Sequence, residues 1–104
     1  MKHDSYETHR AEWQGIALEI RYCPSWLEDY EDIYGHPLAH LEIESANKEP
    51  LPITETGFLS HFMGAPLIDA EGGPVAYALA WLDCEADSDE WKRRQAEREQ
   101  LSLF

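Results

Sequence analysis

The stretch Trp13-Gln14-Gly15-Ile16-Ala17-Leu18-Glu19-Ile20-Arg21-Tyr22-Cys23 decides the fold class. Ile16, Leu18, Ile20 and Tyr22 alternate with Ala17, Glu19 and Arg21, so an extended chain puts its apolar side chains on one side and its polar ones on the other. That is a half-buried strand with one wet face, and Pro24 stops it. A second run at about 39–45 repeats the pattern, with Leu41 and Ile43 inward and Glu42 and Glu44 outward. The two runs are expected to pair antiparallel.

Upstream, residues 1–12 are polar without a clear period and read as a loose N-terminal arm. Two readings of 24–37 stay open. One is a short helix with Trp26, Leu27, Tyr30, Ile33 and Tyr34 on one face and Glu28, Asp29, Glu31 and Asp32 outside. The other is a long aromatic hairpin loop. Residues 51–62 read as an extended segment, a turn near Gly57 and a short third strand or irregular segment ending at Phe62. Gly72-Gly73-Pro74 opens the best helix, because Pro suits the first helical position. Val75, Leu79 and Leu82 share its inner face. Asp87 and Glu90 stand at capping-box spacing, and the segment that follows is polar apart from Trp91 and Ala96. It reads as a solvated helix over 88–99 that carries the tail outward. The expected fold is α+β: a small antiparallel sheet of about three strands covered by a helix over 13–87, then a polar helix and a free tail at 100–104.

At 104 residues the chain is one small domain near the low end of what buries its own core. No apolar run is long enough to span a bilayer, and the N-terminal residues lack a signal-peptide core, so a cytoplasmic location with no membrane partner is the expectation. Cys23 and Cys84 lie far apart and are expected to stay reduced and buried. Twenty-one acids against eight Lys and Arg give a net charge of −13. Lys92–Glu99 holds four of those bases and two acids, or +2, leaving −15 for the rest. Such a body repels phosphates, so direct duplex DNA binding through a broad basic face is not expected.

The last five residues are Gln100-Leu101-Ser102-Leu103-Phe104. They resemble the Gln-Leu-(Ser or Asp)-Leu-Phe peptide by which bacterial replication and repair proteins dock on the DNA polymerase sliding clamp. The resemblance implies Gln100 at a pocket rim and Leu103 and Phe104 in apolar subsites. Burying each of Leu101, Leu103 and Phe104 is worth roughly 1.5–3 kcal/mol, part of it offset by ordering the tail, so micromolar affinity is expected. The competing expectation is a tail packed on its own domain. The body, through Leu51-Pro-Ile-Thr-Glu-Thr-Gly-Phe58, Ser60-His61-Phe62, Gly72-Gly-Pro-Val75 and Ala80-Trp-Leu-Asp83, resembles small proteins of proteobacterial plasmids, prophages and integrated elements. That resemblance implies a mobile-element setting and supplies no catalytic residue.

Candidate chemistry is sparse. A hydrolase would use Glu55, Ser60 and His61, with His36 or His40 in support, yet adjacent Ser60 and His61 point to opposite faces of an extended segment. No phosphate loop, nucleophile elbow or zinc-protease motif is present. His36 and His40 are separated by Pro37, and the acids at 28–32 lack calcium-loop spacing, so no metal or cofactor is expected. The resulting expectation is a non-enzymatic accessory protein docked on the sliding clamp through Gln100–Phe104. The alternative is an acidic decoy imitating nucleic acid, which uses Glu28, Asp29, Glu31, Asp32, Glu42 and Glu44 to inhibit a basic host protein, either a defence nuclease or a nucleic-acid-binding protein.

Overall fold

A computed structural model describes residues 6–101. Four strands, β1 (Glu7–Trp13), β2 (Ile16–Cys23), β3 (Leu38–Ser45) and β4 (Phe58–Gly64), form one antiparallel sheet in sequence order. Among the described residues four α-helices accompany it: α1 (Tyr30–Tyr34), α2 (Ala65–Ala70), α3 (Pro74–Ala86) and α4 (Asp89–Leu101). The α+β class stands, with four strands where the sequence suggested about three.

The extra strand comes from the expected loose arm. Glu7–Trp13 pairs with β2 along its whole length, from Glu7 opposite Tyr22 to Trp13 opposite Ile16. Its outward residues include Thr8, Arg10 and Glu12, so no apolar alternation announces it. Charged residues are common on edge strands because they discourage further pairing. Gln14 and Gly15 make the hairpin turn, with φ of 49° and 83°. A two-residue turn of this kind needs left-handed backbone at both positions to match the twist of the flanking strands.

Cross-strand register sorts the sheet into two faces. Leu18, Ile20, Tyr22, Leu41 and Ile43 project to one side and are buried against Ile68, Ala78 and Leu82. α3 lies on this side, with Ala78 and Leu82 fully buried and Val75 and Leu79 packed at the margin. Trp13, at the end of β1, donates its indole N–H to Asp83 of α3 at 2.8 Å.

α4 differs most from its sequence expectation. Its cap is Ser88, whose hydroxyl accepts the Trp91 N–H at 3.1 Å, rather than Asp87. Trp91 is only 4% exposed and packs on Trp13 with ring centroids 6.1 Å apart. Arg94 and Arg98 reach back to Glu55 and Glu49, each at 2.9 Å. The polar helix is therefore a docked part of the body and not a solvated arm, since a large aromatic side chain alone buries about 150–250 Å².

The 24–37 segment resolves into a loop around the five-residue α1, closed by Gly35 at φ 81°. No residue of α1 is buried. Cys23 is buried, whereas Cys84 is exposed on α3, contrary to the expectation for both. No helix among the described residues is long and apolar enough to cross a membrane.

Candidate functional site

The sheet face opposite the helices carries the chemistry. Register lays its side chains in rows across the strands. Arg10, Glu19, Glu44 and Phe58 form one row, and Thr8, Arg21, Glu42 and Ser60 the next. Cys23, His40 and Phe62 form a third, which Tyr6 joins from just before β1.

Arg21 organises the middle of this face. Its guanidinium donates to Glu42 at 2.7 Å and to Glu19 at 2.8 Å, with Glu44 at 3.8 Å. The hydrogen bond to Glu42 raises the Arg21 pKa above its ordinary value, against the opposing effect of burial. Lys48 holds Glu44 from the other side at 3.3 Å. Glu42 and Glu44 are thus largely compensated. The acids proposed with them, Glu28, Asp29, Glu31 and Asp32, sit on the loop around α1, so the six carboxylates do not form one uniform row. Between β2 and the turn at Ala46–Lys48 lies an open depression of about 370 Å³, lined by Arg10, Glu19, Glu44 and Lys48 among others. Its two cations and two carboxylates leave it without a net preference for either sign of ligand.

His40 lies at the end of the face. One imidazole nitrogen meets the Ser60 hydroxyl at 2.6 Å and the other meets the Tyr6 hydroxyl. Phe62 stacks on the ring at 4.3 Å, and the Trp26 edge contacts both rings. Burial lowers the His40 pKa, with Glu42 acting weakly in the opposite direction, so the ring is held neutral. A neutral imidazole donates through one nitrogen and accepts through the other, which matches two hydroxyl partners. Burial likewise raises the Tyr6 pKa, and the phenol stays protonated as a partner. The arrangement ties the segment before β1 across β2 to β3 and β4.

The sequence-proposed hydrolase residues are not brought together. Ser60 faces His40 on the open side, whereas its neighbour His61 faces the helices and contacts the Trp81 ring at 4.9 Å. Glu55 is engaged by Arg94 of α4. His36 lies beside Pro37 and Gly64, apart from the His40–Ser60 pair. No cluster of metal-ligating side chains occurs among the described residues. Sequence reasoning missed Tyr6 and the roles of Trp26 and Phe62. The alternation His40, Glu42, Glu44 was the available signal that His40 belongs to the outward face.

Of the tail, the backbone is helical through Leu101, and Gln100 is exposed on the last turn of α4. Ser102, Leu103 and Phe104 lie outside the described residues.

A family model described as the KlcB third domain matches residues 6–91. The chain belongs to that family. The match takes in the whole sheet, α1 to α3 and the start of α4, and ends at Trp91, the residue that docks α4. Both Tyr6 and His40 fall inside it, so the hydroxyl–imidazole–hydroxyl tie belongs to the KlcB third-domain unit, while Gln100–Phe104 lies beyond the matched segment. The family points to an accessory protein of a plasmid or related mobile element. No curated protein and no solved structure matches the chain.

Proposed function

We propose that this KlcB third-domain protein is a non-enzymatic accessory protein that docks on the bacterial DNA polymerase sliding clamp through Gln100–Phe104. The observation that carries the reading is the five-residue sequence Gln-Leu-Ser-Leu-Phe placed directly after the anchored part of α4. Trp91, Arg94 and Arg98 fasten that helix to the body at successive turns. Gln100 is exposed one half-turn beyond the last of these ties, where a clamp pocket could reach it without disturbing the core. Gln100 supplies polar contacts at the rim, and Leu103 and Phe104 supply the apolar burial. Attachment through a short peptide raises the local concentration of whatever the body engages, without strong affinity in the body itself.

The dispersal of Glu55, Ser60 and His61 supports a binding role over a hydrolytic one. The decoy alternative draws on the net charge of −13. Compensation of Glu42 and Glu44 by Arg21 and Lys48 weakens it, because a nucleic-acid mimic needs an uninterrupted negative face.

A competition assay tests the proposal. The full chain should displace a labelled Gln-Leu-Ser-Leu-Phe peptide from a purified clamp, and Leu103→Ala with Phe104→Ala should abolish displacement. Displacement that persists in the double variant, or that fails with the unaltered chain, would refute docking through the tail.

A further inference from the structure

Exposed apolar residues on this protein are concentrated at one end of the sheet. The large ones among the described residues are Leu27, Ile33, Tyr34, Phe62 and Leu67, at 45%, 71%, 61%, 45% and 59% exposure. Three belong to the loop between β2 and β3, and two to the end of β4 and the following α2. These segments adjoin, because Ala65 N–H donates to Pro37 carbonyl at 3.0 Å. Two sets of ring contacts lie here: Trp26 meets Phe62 at 4.9 Å, and Tyr30 meets Tyr34 at 4.4 Å and His36 at 5.7 Å.

The charged side chains that these segments themselves carry have one sign. Asp29, Glu31 and Asp32 are exposed on the same loop, and Asp69 and Glu71 follow Leu67. Residues 22–47 and 49–91 contain no Lys or Arg at all. An apolar centre with aromatic side chains and a polar rim is the pattern of a protein-binding surface. Apolar side chains exposed among the acids argue against imitation of a phosphate backbone. A second copy of the chain is an unfavourable occupant, since it would oppose two acidic rims.

We propose that the surface formed by Leu27, Ile33, Tyr34, Phe62 and Leu67 docks a basic amphipathic helix of a partner protein, apolar face inward and Lys or Arg toward Asp29, Glu31 and Asp32. The inference rests on the reading above, in which the body engages a second partner while the tail holds the clamp, and it names that partner's chemistry. Helical recognition works through large apolar anchors spaced along one face of the helix.

The test is binding of a labelled amphipathic Leu/Lys helical peptide to the full chain, followed by anisotropy, beside a peptide of equal composition permuted to destroy the amphipathic face. The amphipathic peptide should bind more tightly. Ile33→Ser with Tyr34→Ser should weaken it by about tenfold or more. Glu31→Lys with Asp32→Lys should weaken it comparably and flatten its salt dependence. Glu85→Lys with Glu90→Lys, an equal charge change elsewhere, should leave it unaltered. Equal binding of both peptides, equal weakening by the control, or no effect of the loop changes would each overturn the proposal. Sedimentation showing a dimer that Ile33→Ser with Tyr34→Ser dissolves would assign the surface to a second copy and overturn it as well. All these changes fall on exposed residues and leave Gln100–Phe104 intact, so clamp docking in the same variants separates failure of this proposal from failure of the tail reading.

Discussion

Replacing Trp91 by alanine probes the connection between the sheet body and the peptide it presents. Trp91 is 4% exposed, packs on Trp13 and lies under the Arg94 guanidinium, 5.5 Å from the ring centroid. Truncating a buried Trp removes about 3–5 kcal/mol. The site borders solvent, where neighbours can partly close the gap, so about 3 kcal/mol is expected. A domain of this size has a total stability of about 5–15 kcal/mol, and the loss is a large fraction of it. The ion pairs Arg94–Glu55 and Arg98–Glu49 also tie α4, but their partly exposed partners are worth only about 0–1 kcal/mol each. These cannot hold a short polar helix, so α4 should undock and melt while the sheet persists. Urea unfolding followed by circular dichroism gives the stability change, and hydrogen exchange of amides 92–100 reports the undocking. Clamp affinity should change little, because the docking peptide lies beyond the anchor. A stability loss under about 1 kcal/mol with unchanged protection in α4 would refute the argument that Trp91 holds the helix.

Three further outcomes follow from local geometry. Gly57 has φ 79°, and a Cβ there would lie 2.7 Å from the Lys48 backbone, whereas Gly15 at φ 83° has open space. Gly57→Ala should therefore cost clearly more than Gly15→Ala, for which about 1–2 kcal/mol of left-handed strain is expected, and equal thermal shifts would contradict this. Burial lowers the His40 pKa, so below about 6.5, where a histidine in the unfolded chain protonates, the unfolded state binds more protons. Stability should fall as pH drops through that value and be insensitive to His40 above it. His40→Gln should flatten this slope in urea titrations across the window, and identical slopes would contradict it. Arg21→Met leaves Glu19, Glu42 and Glu44 facing one another without their shared donor. A loss of about 1–3 kcal/mol, partly recovered by added salt, is expected in chemical denaturation, and no loss would show that the carboxylates need no cation.

Much of the sheet was legible because β2 and β3 each keep one wet face, and a period of two survives in such strands. β1 was not, since its side chains are polar toward solvent and short or mixed toward the core. The Gln14-Gly15 pair between Trp13 and Ile16 was the signal available. The docking of α4 rests on a single Trp, and one aromatic in a polar helix gives no periodicity to detect. For the site, the sequence correctly separated Ser60 from His61, because neighbours on a strand face opposite ways. It could not pair Ser60 with His40, since that contact depends on the register of β3 against β4 and on Tyr6 arriving from the far edge. The loop acids and aromatics were visible as residue types, but not that α1 would leave Ile33 and Tyr34 exposed.

The most direct measurement for the central claim is calorimetric titration of the full chain into a purified bacterial sliding clamp, beside a form lacking Gln100–Phe104. The account predicts micromolar or tighter binding by the full chain and none by the shortened form. Binding of equal strength by both, or by neither, would contradict it.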